Sequence, residues 1–141
     1  MSFLEKSAWI TVVTLVIVYG QYFFWLGSGY AAGAPVPLEA TLRPLITTTV
    51  LWIVTLVIGH AVIGGFSGRG ETGQGDERDR LIEMKASQPT AVVMGFGLFG
   101  IIAMAYAGID RALIVHHLIG LQVLAALVEF GSRIRSYRMA I

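Results

Sequence analysis

Long uncharged apolar runs alternate along this chain with short polar ones. The uncharged runs cover 8–26, 45–66, 89–109 and 112–128, the last continuing past Glu129 to Gly131. A hydrocarbon core of roughly 30 Å takes about 20 helical residues at about 1.5 Å each. Each run meets or nearly meets that length. Inside the core no water is present to bond the backbone, so helix is the reading for every run. The pattern predicts spans at 8–26, 45–66, 89–109 and 112–131 within one transmembrane domain, 1–141. The fold class is all-α: an integral membrane four-helix bundle.

Within the spans, polar and small residues are the ones expected to face other helices. The first span carries Ser7, Thr11, Thr14, Val18, Gln21 and Trp25, in alternating steps of four and three that share one face. The second repeats the pattern with Thr48, Trp52, Thr55, Gly59, Val62 and Phe66. Gly59 admits a close neighbour, and His60 falls about 100° off that stripe. Tyr22 to Trp25 sit where an interfacial aromatic belt belongs. Between these spans, 27–43 reads as an outer loop containing Pro35 and Pro37. In the third span, Gly95-Phe96-Gly97-Leu98-Phe99-Gly100 matches G-x-G-x-x-G by letter alone. No strand precedes it and it lies in an apolar run, so it reads as helix packing continued by Ala103 and Ala107. The turn 108–111 is short enough to make spans three and four an antiparallel hairpin.

The charged residues concentrate in the stretch 69–88, RGETGQGDERDRLIEMKASQ. Its first part, with 64–69, is rich in glycine. Asp76 then suits a helix N-cap, acids follow in the first turn, and Glu77 and Arg80 form an i,i+3 pair. With Leu81, Ile82 and Met84 as an apolar edge, 76–85 reads as a short amphipathic helix lying at the inner interface. Ser87 is the expected cap of the next helix, with Pro89 in its first turn.

Composition agrees with the bilayer reading. Hydrophobic residues make up 55% of the chain and charged ones 13%, against about 25% charged in a soluble domain. A net charge of +1 gives no electrostatic case for nucleic acid, and the lack of Cys removes disulfides, thiolate metal sites and thiol catalysis. Lys6, Arg69, Arg78, Arg80, Lys85, Arg133, Arg135 and Arg138 lie on one side, leaving only Arg43 and Arg111 of the 10 basic residues for the other. The positive-inside rule then places both termini and the central loop in the cytoplasm. Ala32-Gly33-Ala34 has the letters of a signal-peptidase site. The apolar run before it is longer than the roughly 7–15 residues of a signal peptide, so it reads as a retained anchor.

The string Asp76-Glu77-Arg78-Asp79-Arg80-Leu81-Ile82-Glu83, followed by two spans and by Glu129 ahead of Tyr137-Arg138, resembles a family of small four-span bacterial membrane proteins. These carry a DERDxxI-type motif between spans two and three, and many are known only as domains of unknown function. The resemblance covers roughly residues 75–138. It implies a four-helix fold in a bacterial inner membrane. Some such proteins are similar in gene context to partners of small helix-turn-helix regulators.

Three groups of residues are candidates for function. In the first, Asp76, Glu77, Arg78, Asp79 and Arg80, with the basic tail Arg133, Arg135 and Arg138, would dock a protein partner. The tail is also suited to anionic lipid, at about 1 kcal/mol per Arg near the surface, or to pairing with the acids of the central loop. The second is a set of intramembrane polar residues: Gln21, Tyr22, His60, Tyr106, His116, His117, Gln122 and Glu129. Of these, Gln21, Tyr22, Tyr106 and one of the adjacent histidines share a depth with Asp110 and could hold a quinone headgroup or small ligand, or simply bond helices together. The third is Glu129, which either pairs with Arg133 one turn on or meets His60.

Haem is a poor fit within one chain, since His60 and His116 differ in height by roughly 15 Å at about 1.5 Å per residue. His116 and His117 point about 100° apart. No span is broken by Pro at the midplane, which argues against transport. The reading is a non-enzymatic regulator or accessory subunit with lipid, a protein partner or a second copy around it and no required cofactor. The alternatives are a binder of a redox cofactor, quinone or other small ligand, and an accessory subunit of a larger respiratory or photosynthetic complex.

Overall fold

The computed structural model describes residues 3–34, 36–66 and 77–139, apart from the Phe66 side chain. All regular structure among them is helical: α1 (Phe3–Ala31), α2 (Leu38–Phe66), α3 (Glu77–Tyr106) and α4 (Arg111–Arg138). Each is long and apolar enough to cross a membrane. The protein is therefore a multi-pass membrane protein with an all-α four-helix fold. Residues 67–75 and the expected N-cap Asp76 lie outside the described residues.

The helices run further than the apolar stretches predict. The outer loop expected at 27–43 shrinks to residues 32–37, because α1 continues to Ala31 and α2 already starts at Leu38. Two helix stops have clear causes. Gly33 and Gly108 adopt φ +70° and +71°, the left-handed conformation that ends a helix and that only glycine takes without strain. The Ala34 N–H returns to Gly29 C=O, and the Ile109 N–H returns to Met104 C=O, closing both ends. The third helix thus stops at Tyr106 rather than Ile109. Asp110 then opens α4 by accepting the Ala112 N–H at 2.8 Å. The tight hairpin expected of spans three and four is present.

The separate amphipathic helix expected at 76–85 is instead the first part of α3, which passes straight through Ser87 and Pro89. Ser87 does not cap; its hydroxyl donates back to Met84 C=O at 2.8 Å. Pro89 removes one donor, and the Thr90 hydroxyl donates to Ala86 C=O at 3.0 Å beside it. Pro44 is likewise inside α2.

Packing follows the order α2, α1, α4, α3: each helix lies extensively against its neighbours in that order, and α2 does not pack extensively on α3. α4 is therefore internal to the arrangement and α2 peripheral. The buried face of α1 is Ala8, Thr11, Leu15, Val18, Tyr22 and Leu26. It overlaps the predicted stripe at Thr11 and Val18, but Gln21 and Trp25 turn outward. On α2 the half-buried positions include Thr48, Trp52, Thr55 and Gly59, as expected, whereas Val62 is exposed. Gly59 lies against α1; a Cβ there would stand 2.7 Å from Ile10 Cγ2. Phe24, Phe96, Phe99 and Tyr106 are largely exposed, as apolar side chains in a lipid solvent can be at no cost.

Candidate functional site

Polar side chains gather at two levels. At the end where both chain termini lie, they link all four helices. His60 Nδ1 contacts Leu56 C=O at 2.8 Å, so that nitrogen carries the proton. In the neutral ring, Nε2 then accepts from the Ser7 hydroxyl at 2.7 Å. Ser7 ties α1 to α2. Arg133 on α4 reaches Glu129 at 2.5 Å, one turn away, and Glu83 on α3 at 2.9 Å. The Tyr137 hydroxyl donates to Asp79 Oδ1 at 3.0 Å. Arg138 lies over the Trp9 ring at 5.2 Å and 3.7 Å from Glu5 Oε1.

Glu129 therefore takes the ion pair with Arg133, and His60 is committed to Ser7. Of the acids of the central stretch, Asp79 and Glu83 bond to Tyr137 and Arg133 of α4. Of the proposed docking residues, Asp76 lies outside the described ones, Glu77 has contacts of its own, and Asp79, Arg133 and Arg138 bond internally. Arg78, Arg80 and Arg135 stay exposed. A cavity of about 320 Å³ lies within this network, lined by Ser7, Asp79, Arg80, Glu83, Arg133 and Tyr137 among others.

Tyr137 stands beyond the apolar part of α4. Burial pushes its phenol up to about 12, helped by the hydrogen bond to Asp79. Its ordinary value is 10.0. A raised folded-state value stabilises the fold below pH 10, and that stability is lost as pH climbs from 10 to about 12. Tyr137→Phe should thus cost about 1 kcal/mol at neutral pH, and the gap from the parent chain should close over that alkaline window in denaturation curves. A gap that persists above it would show that Asp79 does not depend on this donor.

At the opposite level, α1 and α4 meet through one buried pair. The Tyr22 hydroxyl lies 3.0 Å from His116 Nδ1, and the rings are edge-to-face at 6.1 Å. Tyr22 and His116 are each 3% exposed. The other ring nitrogen, His116 Nε2, is buried and has no partner among the described residues. Beside this pair runs a groove of about 710 Å³ floored by α4 and flanked by α1 and α3. Its walls are Phe23, Leu26, Gly97, Gly100, Ile101, Met104, Leu121 and Leu124, with both adjacent histidines and Tyr30.

Only part of the predicted outer cluster assembles here. Tyr22 and His116 meet. Tyr106 is 93% exposed and takes no part. Asp110 is engaged as a helix cap. Gln21 faces a different cavity, between α1 and α2, lined by Tyr22, Trp25, Arg43 and Thr48. His117 is exposed, its Nδ1 contacting Leu113 C=O at 2.8 Å. Gln122 is exposed as well. His60 and His116 serve different sites, since their partners Ser7 and Tyr22 stand roughly 22 Å apart along α1 at about 1.5 Å per residue.

The glycines of Gly95-Phe96-Gly97-Leu98-Phe99-Gly100 divide in role. Gly97 lies against Leu121, whereas Gly95 and Gly100 have open space around them. Ala103 and Ala107 are exposed and do not continue a packed face. Among the described residues no group of three or more His, Asp or Glu is placed to hold a metal ion. No family model, curated protein or solved structure matches this chain.

Proposed function

We propose that the protein is a non-enzymatic membrane protein that holds a small lipophilic molecule in the groove beside His116. The ligand class is a flat molecule with a carbonyl or hydroxyl group, of which a quinone is the type. One observation carries this reading: a buried histidine, whose second ring nitrogen has no partner among the described residues, lines a mostly apolar groove. A buried polar group without a partner costs about 1–3 kcal/mol, and a ligand oxygen would recover that. The groove volume also falls within the roughly 300–1,000 Å³ usual for such sites.

The test uses the detergent-solubilised full chain titrated with a short-chain ubiquinone. Trp25 lies 6.2 Å from the Tyr22 ring and reports binding through its fluorescence. Saturable quenching is expected. His116→Leu should weaken it about tenfold, the loss of one hydrogen bond of about 1.4 kcal/mol. Gly100→Leu fills the groove from a position with free space and should abolish binding without loss of helix. Quenching that is linear, or insensitive to both variants, overturns the proposal.

A second reading keeps the charged end as a docking surface that makes the protein a regulator or accessory subunit. It rests on Arg78, Arg80 and Arg135, which remain exposed after the internal pairs are formed. Reversing Arg80 and Arg135 to Glu should then abolish co-purification of the partner; unchanged co-purification counts against this role.

A further inference from the structure

Charge on the first turns of α3 is sorted by face. Asp79 and Glu83, four residues apart, turn to the interior network, where Tyr137 and Arg133 meet them. Arg78 and Lys85, seven apart, turn to the other side of the α3–α4 pair. There they line a second cavity, of about 300 Å³, together with Arg135, Ser132 and Ser136 of α4. Among the described residues no carboxylate lines it. Arg78 and Lys85 make no hydrogen bond or ion pair among the described residues, and Arg135 bonds only the Met139 sulfur, at 3.3 Å. Leu81, 49% exposed, and Met139, 51% exposed, complete the rim.

We propose that this cavity binds the phosphate headgroup of an anionic glycerophospholipid. Three cations converge on one volume with no acid among the described lining residues, and two hydroxyls supply neutral donors. A phosphodiester accepts hydrogen bonds on several oxygens and suits such a set. Depth selects a lipid over a soluble anion. Residues 78–85 and 132–139 flank the points where α3 and α4 leave their apolar stretches, the level at which headgroups sit. The half-exposed Leu81 and Met139 offer apolar surface to the first part of an acyl chain. The site is independent of the groove at His116, which lies at the other level of the helices.

The experiment reconstitutes the full chain and compares spin-labelled phosphatidylglycerol with spin-labelled phosphatidylcholine in the protein-bound lipid fraction. The expected preference for phosphatidylglycerol is about tenfold, the attraction of three cations reduced by solvent screening. Replacing Arg78, Lys85 and Arg135 together with Gln should bring it to parity while leaving the helical circular dichroism unchanged. Arg80→Gln, which alters a cation outside this cavity, should retain the preference. Equal association of the two lipids with the parent chain overturns the proposal. So does an Arg80→Gln loss as large as that of a lining cation, which would mean diffuse surface charge. Displacement of the lipid by millimolar inorganic phosphate overturns it too, by making the ligand a soluble anion.

Discussion

Arg133→Leu should lower the stability of the folded helices by about 2 kcal/mol, the largest loss expected from any single charged residue here. Arg133 bonds both Glu83 on α3 and Glu129 on its own helix. Its side chain is 24% exposed and that of Glu129 29%, so solvent compensates either of them only in part. Glu83 is 63% exposed and gains little from the contact. Most of the loss therefore comes from Glu129, which would be left charged at the edge of an apolar span without the one ion-pair partner it has among the described residues. Complete burial would make the cost about 3–5 kcal/mol; partial exposure reduces it. The double variant Arg133→Leu with Glu129→Gln removes the stranded charge and should recover more than half of the loss. Unfolding in mixed micelles with increasing dodecyl sulfate measures all three chains. A double variant no more stable than Arg133→Leu alone would show that the pairing with Glu129 is not what Arg133 contributes.

That network was only half visible in the chain itself. The i,i+4 spacing of Glu129 and Arg133 can be read from sequence, because both residues belong to one helix. The links from Glu83 to Arg133 and from Asp79 to Tyr137 depend on which helices are neighbours, and hydrophobic pattern says little about that in a membrane. In water, an apolar stripe must face the core. In lipid, apolar residues are equally comfortable on every face, so the stripe that packs is marked only by small and polar residues.

This explains the mixed outcome along the helices. The stripe on α2 reads correctly at Thr48, Trp52, Thr55 and Gly59. On α1 the polar positions Ser7, Thr14 and Gln21 drew the predicted stripe to one side of the true face, which includes Ala8, Leu15 and Tyr22. Depth was easier to read than direction. Tyr22 and the adjacent histidines were expected at one level, and they share it. The choice of His116 over His117 required knowing that α1 lies on that side of α4. Polar residues at the ends of the apolar runs suggest loop, yet the helices continue through them. Near the headgroups water can bond the backbone that Pro44 and Pro89 leave short, so helices run on through them.

Gly97 and Gly100 of α3 give a sharp test of packing. Gly97→Val should destabilise the α3–α4 pair by about 2–3 kcal/mol, whereas Gly100→Val should change stability by no more than about 0.5 kcal/mol. An added Cβ at Gly97 would overlap Leu121 Cδ1 and stand 3.0 Å from its Cγ. A leucine can turn its far methyls, but Leu121 is 8% exposed and its Cγ is also too near. The whole side chain must move, or the helices must part. Gly100 has nothing within 4 Å of its own added Cβ and gains slightly from leaving glycine in a helix interior. Leu121→Ala makes room, so its cost and that of Gly97→Val should not add in the double variant. The coupling, read from the same micelle titrations, should be at least about 1 kcal/mol. Additive losses would place the cost of Gly97→Val in the backbone of α3 rather than in its contact with α4. Equal losses at Gly97 and Gly100 would overturn the assignment of Gly97 to the α3–α4 contact.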